Sequence, residues 1–270
     1  MIGAITGDII GSPYEFGENK KTKDFQFFSR YSTYTDDSVM TIAVAEALLN
    51  SLNVNDDTII KNNLIASLKK WGNNYPYAGY GSMFRQWLKS NNSQPYNSFG
   101  NGSAMRVSSA GWLYNTIEET RHIARLTAEI THNHPEGIKG AEATASAIFL
   151  ARNGASKEVI YNYITNEFEY NLNRTCHEIR PSYQFNETCP GSVPEAIIAF
   201  LEGNSYKDVI RNAVSLGGDS DTIACIAGGI AEAYYGYPSD LTKECLQRIT
   251  PDMTVVLVNF MIYRLRGEIK

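Results

Sequence analysis

A chain of 270 residues has room for one large domain or two small ones. Lys and Arg total 24 against 29 acidic residues, and the resulting net charge of −5 argues against a surface built to neutralise nucleic-acid phosphates. With 43% hydrophobic and 20% charged residues, the composition is that of a folded globular protein rather than a disordered polyelectrolyte.

The chain opens on the apolar stretch Met1–Gly11, which lacks a basic leader and is interrupted by Asp8, so it does not read as a signal peptide. No later run reaches the uncharged length of a membrane span. A cytoplasmic monomer with no membrane contact is expected. Asn19 to Tyr34 mixes aromatics and lysines without a period and reads as a loop able to lie over a site. Apolar residues then recur at helical spacing over Ser38–Leu52, Asp57–Trp71, Glu118–Thr131, Glu136–Ala151, Lys157–Phe168, Pro194–Leu201, Tyr206–Val214, Asp219–Tyr235, Leu241–Ile249 and Met253–Leu265. Tyr170 to Gly191 is a second aperiodic stretch. Alternating strand patterns are nearly absent, and no linker composition divides the chain. One all-α domain over residues 1–270, compact and many-helixed, is predicted. Cys176, Cys189, Cys225 and Cys245 have no zinc spacing, and a Cys176–Cys189 disulfide stays open.

Two acidic clusters stand directly before apolar helices: Thr35-Asp36-Asp37-Ser38 and Gly217-Gly218-Asp219-Ser220-Asp221-Thr222. Helix capping is the plain explanation for Ser, Thr and Asp at a helix start. Asn55-Asp56-Asp57-Thr58 supplies an internal comparison, because the helix after it is amphipathic and lysine-studded, and capping suffices there. The other two helices are apolar around most of their circumference, so their starts should lie deep. Aspartates in such a place are costly without a cation. If the two starts converge, four carboxylates and the threonine hydroxyls form an all-oxygen set suited to Mg²⁺ or Mn²⁺.

Phe99-Gly100-Asn101-Gly102-Ser103-Ala104-Met105-Arg106 is a glycine-bracketed turn opening a helix, able either to turn N–H groups toward a phosphate or to serve as a tight loop capped by Ser103. Gly79-Tyr80-Gly81-Ser82 is a weaker loop of the same kind. Thr131-His132-Asn133-His134-Pro135 reads as a corner where one helix ends and the next begins at proline. Its two histidines do not share a helical face, which argues against a zinc pair.

Taken in order, these stretches resemble one family, the ADP-ribosylglycohydrolases (ADP-ribosyl-acceptor hydrolases), typified by the dinitrogenase-reductase-activating glycohydrolase. The matching pieces are Gly7-Asp8 through Tyr14-Glu15-Phe16, Thr35–Ser38, Gly100–Arg106, Thr131–Pro135 and Gly217–Thr222, spread over nearly the whole chain. The resemblance implies an orthogonal all-α fold around two divalent cations, Mg²⁺ or Mn²⁺, held by Thr35, Asp36, Asp37, Asp219, Asp221 and Thr222. It implies hydrolysis of the bond between C1″ of ADP-ribose and an acceptor on a modified protein or a small molecule. Glu15, Asp36 and Asp37 are then the candidates for proton transfer. Gly79, Tyr80, Gly81, Phe99, Gly100, Asn101, Gly102, Ser103, Met105, His132 and His134 are the candidates for substrate binding. In the nitrogen-fixation relative an aspartate precedes the glycine matching Gly79; here that residue is Ala78, so an arginine acceptor does not follow. A hydrolase of small conjugates and a non-catalytic ADP-ribose-binding relative are the alternatives, and the complete acidic set argues against the second.

Overall fold

Gly3, Gly7 and Gly11 recur every four residues and so fall on one stripe of a helix. In the computed structural model, which describes residues 1–16 and 21–268, this segment is helix α1 (Ile2–Gly11). It is followed by α2 (Asp36–Leu49), α3 (Asp57–Asn74), α4 (Ser82–Lys89), α5 (Gly102–Met105), α6 (Ala110–Leu113), α7 (Ile117–Glu129) and α8 (Pro135–Arg152). The remainder comprises α9 (Lys157–Phe168), α10 (Cys176–Ile179), α11 (Cys189–Glu202), α12 (Tyr206–Leu216), α13 (Ser220–Tyr235), α14 (Thr242–Leu246) and α15 (Pro251–Glu268). Among the described residues there is no strand, only an isolated antiparallel bridge between Gly100 and Thr188. The all-α class read from the sequence is the one observed.

No helix was expected at α1, because glycine is among the poorest helix formers. Packing overrides propensity there. The glycine stripe lies antiparallel against α13, with the two backbones in near contact. A Cβ on Gly7 would stand 2.0 Å from the Ala224 carbonyl oxygen, and one on Gly11 would stand 2.5 Å from the Cα of Asp221. The close approach carries the end of α1 to the first turn of α13. That turn is reached from α12 through Gly217 and Gly218, both at positive φ (73° and 68°), where a side chain would be strained.

Helices α2 and α13 are buried along most of their length, including the first turn of each, as their continuous apolar character predicts. By contrast α3 buries only Ile60, Leu64, Leu68, Trp71 and their neighbours along one face, while Lys70 pairs with Glu46 at the surface. Helix α11 begins at Cys189 rather than at Pro194, because the Thr188 hydroxyl accepts from Gly191 N and caps the earlier start. Pro194 then removes one ladder bond without ending the helix. Leu241–Ile249 is not one helix but a 3₁₀ turn at Ser239–Leu241 followed by the short α14. Helix α4, with Phe84, Trp87 and Leu88 buried, is too short to announce itself by periodicity. The four cysteines are free and buried, so no Cys176–Cys189 bridge forms. No helix among the described residues is long and apolar enough to cross a membrane.

Candidate active site

The starts of α2 and α13 converge. Thr222 Oγ1 of α13 donates to Asp37 Oδ2 of α2 at 3.1 Å, although 185 residues separate them. Carboxylate oxygens of Glu15, Asp219 and Asp221 lie within 4.8 Å of one another. Capping does not account for the aspartates of either cluster. Asp56, at the start of α3, accepts from Thr58 N and Ile59 N as a cap should, whereas Asp219, in the same position on α13, makes no side-chain cap. At α2 the cap is Thr35, which accepts from Asp37 N and leaves both aspartates free of that duty.

Asp8 organises this corner, although in the sequence it has no role beyond interrupting the first apolar run and belonging to the Gly7–Phe16 piece of the family resemblance. Fully buried on α1, its carboxylate accepts from Thr35 N at 3.0 Å, Thr35 Oγ1 at 2.7 Å and Ser38 N at 3.0 Å, and also from Ser38 Oγ. The signal in the sequence was a lone carboxylate in an otherwise apolar helix, since burying a charge that way requires dedicated donors. Replacing Asp8 by alanine orphans those donors and loosens the start of α2. We expect divalent-cation affinity to fall about 10- to 100-fold, read by titration calorimetry, as for other residues that orient ligands from behind.

Each acid here is pushed above the usual carboxylate range, and burial is the largest cause in every case. Asp8 rises to about 6, its four donors opposing the desolvation. Glu15 rises to about 7, with the Asp219 charge adding to burial. Asp36 rises to about 8 under burial and the charges of Asp8, Asp219 and Glu15. Asp37, Asp219 and Asp221 also move up. One buried oxygen, Asp37 Oδ1, has no hydrogen-bond partner. Crowded carboxylates and an orphaned buried oxygen fit a bound cation and give the cluster little other structural reason.

The acids border a cavity of about 460 Å³. Of the residues singled out from sequence, Glu15, Asp36, Asp37, Gly79, Gly81, Phe99, Gly100, Asn101, Gly102, Met105, His132, Asp219, Asp221 and Thr222 line it. Asn101 ties the glycine loop to the acids by donating to Asp219 Oδ2 at 2.6 Å. The Gly79 loop is tied in by Asp36 N, which donates to Ala78 O at 2.7 Å. Four of the expected residues lie elsewhere. Tyr80 is buried against Phe84 in the core. Ser103 does not cap α5; it turns inward and donates to Gly137 O at 2.7 Å. His134 caps α8, its Nδ1 accepting from Glu136 N, and its ring lies 5.2 Å from that of Phe99. Thr35 sits behind the wall, with its hydroxyl proton aimed at Asp8.

The two aperiodic stretches behave differently. Phe185, Glu187 and Thr188, from the second, line the cavity. This strand-like piece is pinned to the glycine loop by Asn101 N to Glu187 O at 2.8 Å and Cys189 N to Phe99 O at 2.9 Å. The described part of the first does not supply the expected cover. Asn19 and Lys20 lie outside the described residues. From Lys21 to Tyr34 no residue lines the cavity; Phe25 and Phe27 instead pack against Arg211, and Phe28 packs against Arg248. The arginine faces attract the aromatic rings away from the cavity.

The same acids and glycine loop are the pieces that carried the family resemblance, and direct comparison agrees. The family profile described as ADP-ribosylglycohydrolase matches residues 1–266. The chain belongs to the ADP-ribosylglycohydrolase family. It is 27% identical over 309 residues to the ADP-ribosylhydrolase ARH3 of Homo sapiens, which covers 87% of this chain and 84% of that protein. It is 25% identical over 281 residues to the ADP-ribosylarginine hydrolase Tri1 of Pseudomonas putida (strain GB-1), covering 92% and 72% respectively. A solved structure titled ADP-ribosylglycohydrolase-related protein complex superposes with a TM-score of 0.71 at 21% identity over 96% of this chain and 95% of that one. At that identity the likeness speaks to the fold, which is the family's.

Proposed function

We propose that this protein hydrolyses the bond between C1″ of ADP-ribose and an acceptor, most plainly a modified protein side chain, and releases ADP-ribose. The observation that carries this reading is the convergence of Glu15, Asp36, Asp37, Asp219 and Asp221 on one cavity that also contains the Gly100–Gly102 loop. Asp36, Asp37, Asp219, Asp221 and Thr222, all bordering the cavity, would hold two divalent cations, Mg²⁺ or Mn²⁺, with Thr35 bonded to Asp8 behind them. Bound there, the cations supply Lewis-acid charge beside the distal ribose.

The protein's own groups account for the rest. Gly100 N and Asn101 N are given to Ser98 Oγ and Glu187 O, so the loop receives the diphosphate at its Gly102 end, where α5 begins. Asn101, bonded to Asp219, sets the distance between that loop and the acids. Phe99 and His132 border the nucleoside part. Glu15 is half-buried beside Asp219 and Asp221, and without cations its carboxyl is raised to about 7 by burial and then by Asp219. It takes the proton of the attacking water or returns one to the acceptor atom that leaves C1″. Asp36 and Asp37 are the other candidates for that transfer.

The described part of Asn19–Tyr34 packs away from the cavity, and an acceptor side left uncovered by it would favour a macromolecular substrate. The test is a panel of ADP-ribosylated arginine, serine and nucleic-acid substrates, together with small ADP-ribose conjugates, each with Mg²⁺ or Mn²⁺ and with EDTA. We expect ADP-ribose release from at least one, abolished by EDTA. Release from the small conjugates alone would replace the protein-substrate reading, and binding of ADP-ribose without release from any would make the chain a non-catalytic relative.

A further inference from the structure

We infer that Arg106 and Thr131 are positioning residues that hold His132 as a neutral imidazole with its Nε2–H presented to the cavity. Only the identity of the ligand rests on the ADP-ribose reading above. Arg106 is 1% exposed and is bonded to neutral oxygens rather than to a carboxylate: its guanidinium donates to Thr127 O at 2.8 Å and to Thr131 Oγ1 at 2.7 Å. A guanidinium can only donate, so Thr131 is the acceptor in that bond. Thr131 Oγ1 also lies 2.8 Å from His132 Nδ1. Its single proton therefore goes to Nδ1, which must be the bare nitrogen of the ring. The reverse arrangement, with Nδ1–H donating to Thr131, would leave the hydroxyl proton buried without an acceptor.

A second proton on the imidazole is disfavoured: burial and then the Arg106 charge both lower its basicity, and burial raises the phenol of Tyr96, whose ring lies 6.0 Å away. The remaining ring proton is thus at Nε2. That atom stands over the glycine loop: a Cβ on Gly102 would lie 3.1 Å from it, and one on Gly100 would lie 3.6 Å away. A ligand oxygen received by the loop meets an uncharged N–H donor there rather than a lone pair. Arg106 also borders the cavity, but its hold on the His132 ring runs through Thr131, which does not.

The test uses the full chain labelled with ¹⁵N-histidine, with Mg²⁺ present and no nucleotide. The His132 signals are assigned by their loss in His132→Gln. We expect a bare, hydrogen-bonded Nδ1 and a protonated Nε2 at neutral pH. A protonated Nδ1, alone or in a doubly protonated ring, would overturn the inference. In Thr131→Val, which exchanges the hydroxyl for a methyl of similar size, Nδ1 should move to its unbonded position and ADP-ribose affinity should fall about tenfold by calorimetry. Thr131→Ser should restore both. Unchanged affinity in Thr131→Val despite the lost Nδ1 bond would sink the positioning role. If Thr131→Val does not fold, the spectra of the wild type and Thr131→Ser decide. If the wild-type protein binds no ADP-ribose, the ligand assignment fails and the spectra still test the relay.

Discussion

Asp221→Asn is expected to abolish ADP-ribose release, by about a thousandfold or more, and at the same time to raise the melting temperature of the metal-free protein. The two effects have one cause. Asp221 is buried, and after burial its carboxyl is pushed up by Asp219, Asp37, Glu15 and Asp8. An asparagine keeps the oxygen that accepts from Thr222 N at 3.0 Å while removing one charge from the cluster. Without cations the variant is relieved of repulsion. With them it lacks the charge that would hold the ions. Differential scanning fluorimetry in EDTA at pH 8, paired with a release assay in Mn²⁺, reads both halves. A wild-type protein that melts higher than the variant in EDTA would show the cluster to be structural, and full activity in the variant would remove Asp221 from the site.

A pH dependence follows from the same residues. Carboxyls raised to about 6 at Asp8, about 7 at Glu15 and about 8 at Asp36 mean that the folded, metal-free protein keeps protons that the unfolded chain releases near pH 4. Where the folded state binds more protons, stability falls as pH rises. The melting temperature in EDTA should therefore decline from pH 5 to pH 8, by about 2–4 °C for each kcal/mol lost at this chain length. Saturating Mg²⁺ or Mn²⁺ should flatten the decline, because an ion that binds only the folded state stabilises it by mass action. The same slope with and without cation would mean that the acids do not share an ion site.

Legibility in the sequence tracked how local each signal was. Thr35–Ser38 and Gly217–Thr222 stood out because acids that precede an all-round apolar helix cannot be reconciled with solvent, and the lysine-rich helix after Asp57 supplied the contrast. Asp8 was visible as a residue and missed as a function, since its role needs Thr35 and Ser38, nearly thirty residues away. Tyr80 and Ser103 were placed in the site by membership of glycine loops. Such loops offer their backbone to a ligand and turn their larger side chains into the core, as both residues do here. The pairing of Phe99–Asn101 with Glu187–Cys189 leaves no local pattern at all: no periodicity in either segment points to the other.

The glycine stripe of α1 leads to the largest expected loss of stability. Gly7→Val should unfold the protein at temperatures where the wild type is folded, and Gly7→Ala should cost about 3 kcal/mol or more, although alanine is the better helix former by about 1 kcal/mol. A Cβ at Gly7 would stand 2.0 Å from Ala224 O and 2.5 Å from its carbonyl carbon, both backbone atoms of a buried helix that cannot swing aside. Relief requires α1 and α13 to separate. Asp8 is the next residue on α1 and Asp221 lies in the first turn of α13, so that separation would also pull apart the support of the α2 start and one of the acids it faces. Gly154→Ala is the comparison, because its positive φ of 79° strains a side chain but a Cβ there meets nothing within 4 Å. Urea titration of the three variants separates the explanations. If Gly7→Ala loses no more stability than Gly154→Ala, backbone conformation rather than interhelical contact sets the cost, and the glycine stripe does not position the site.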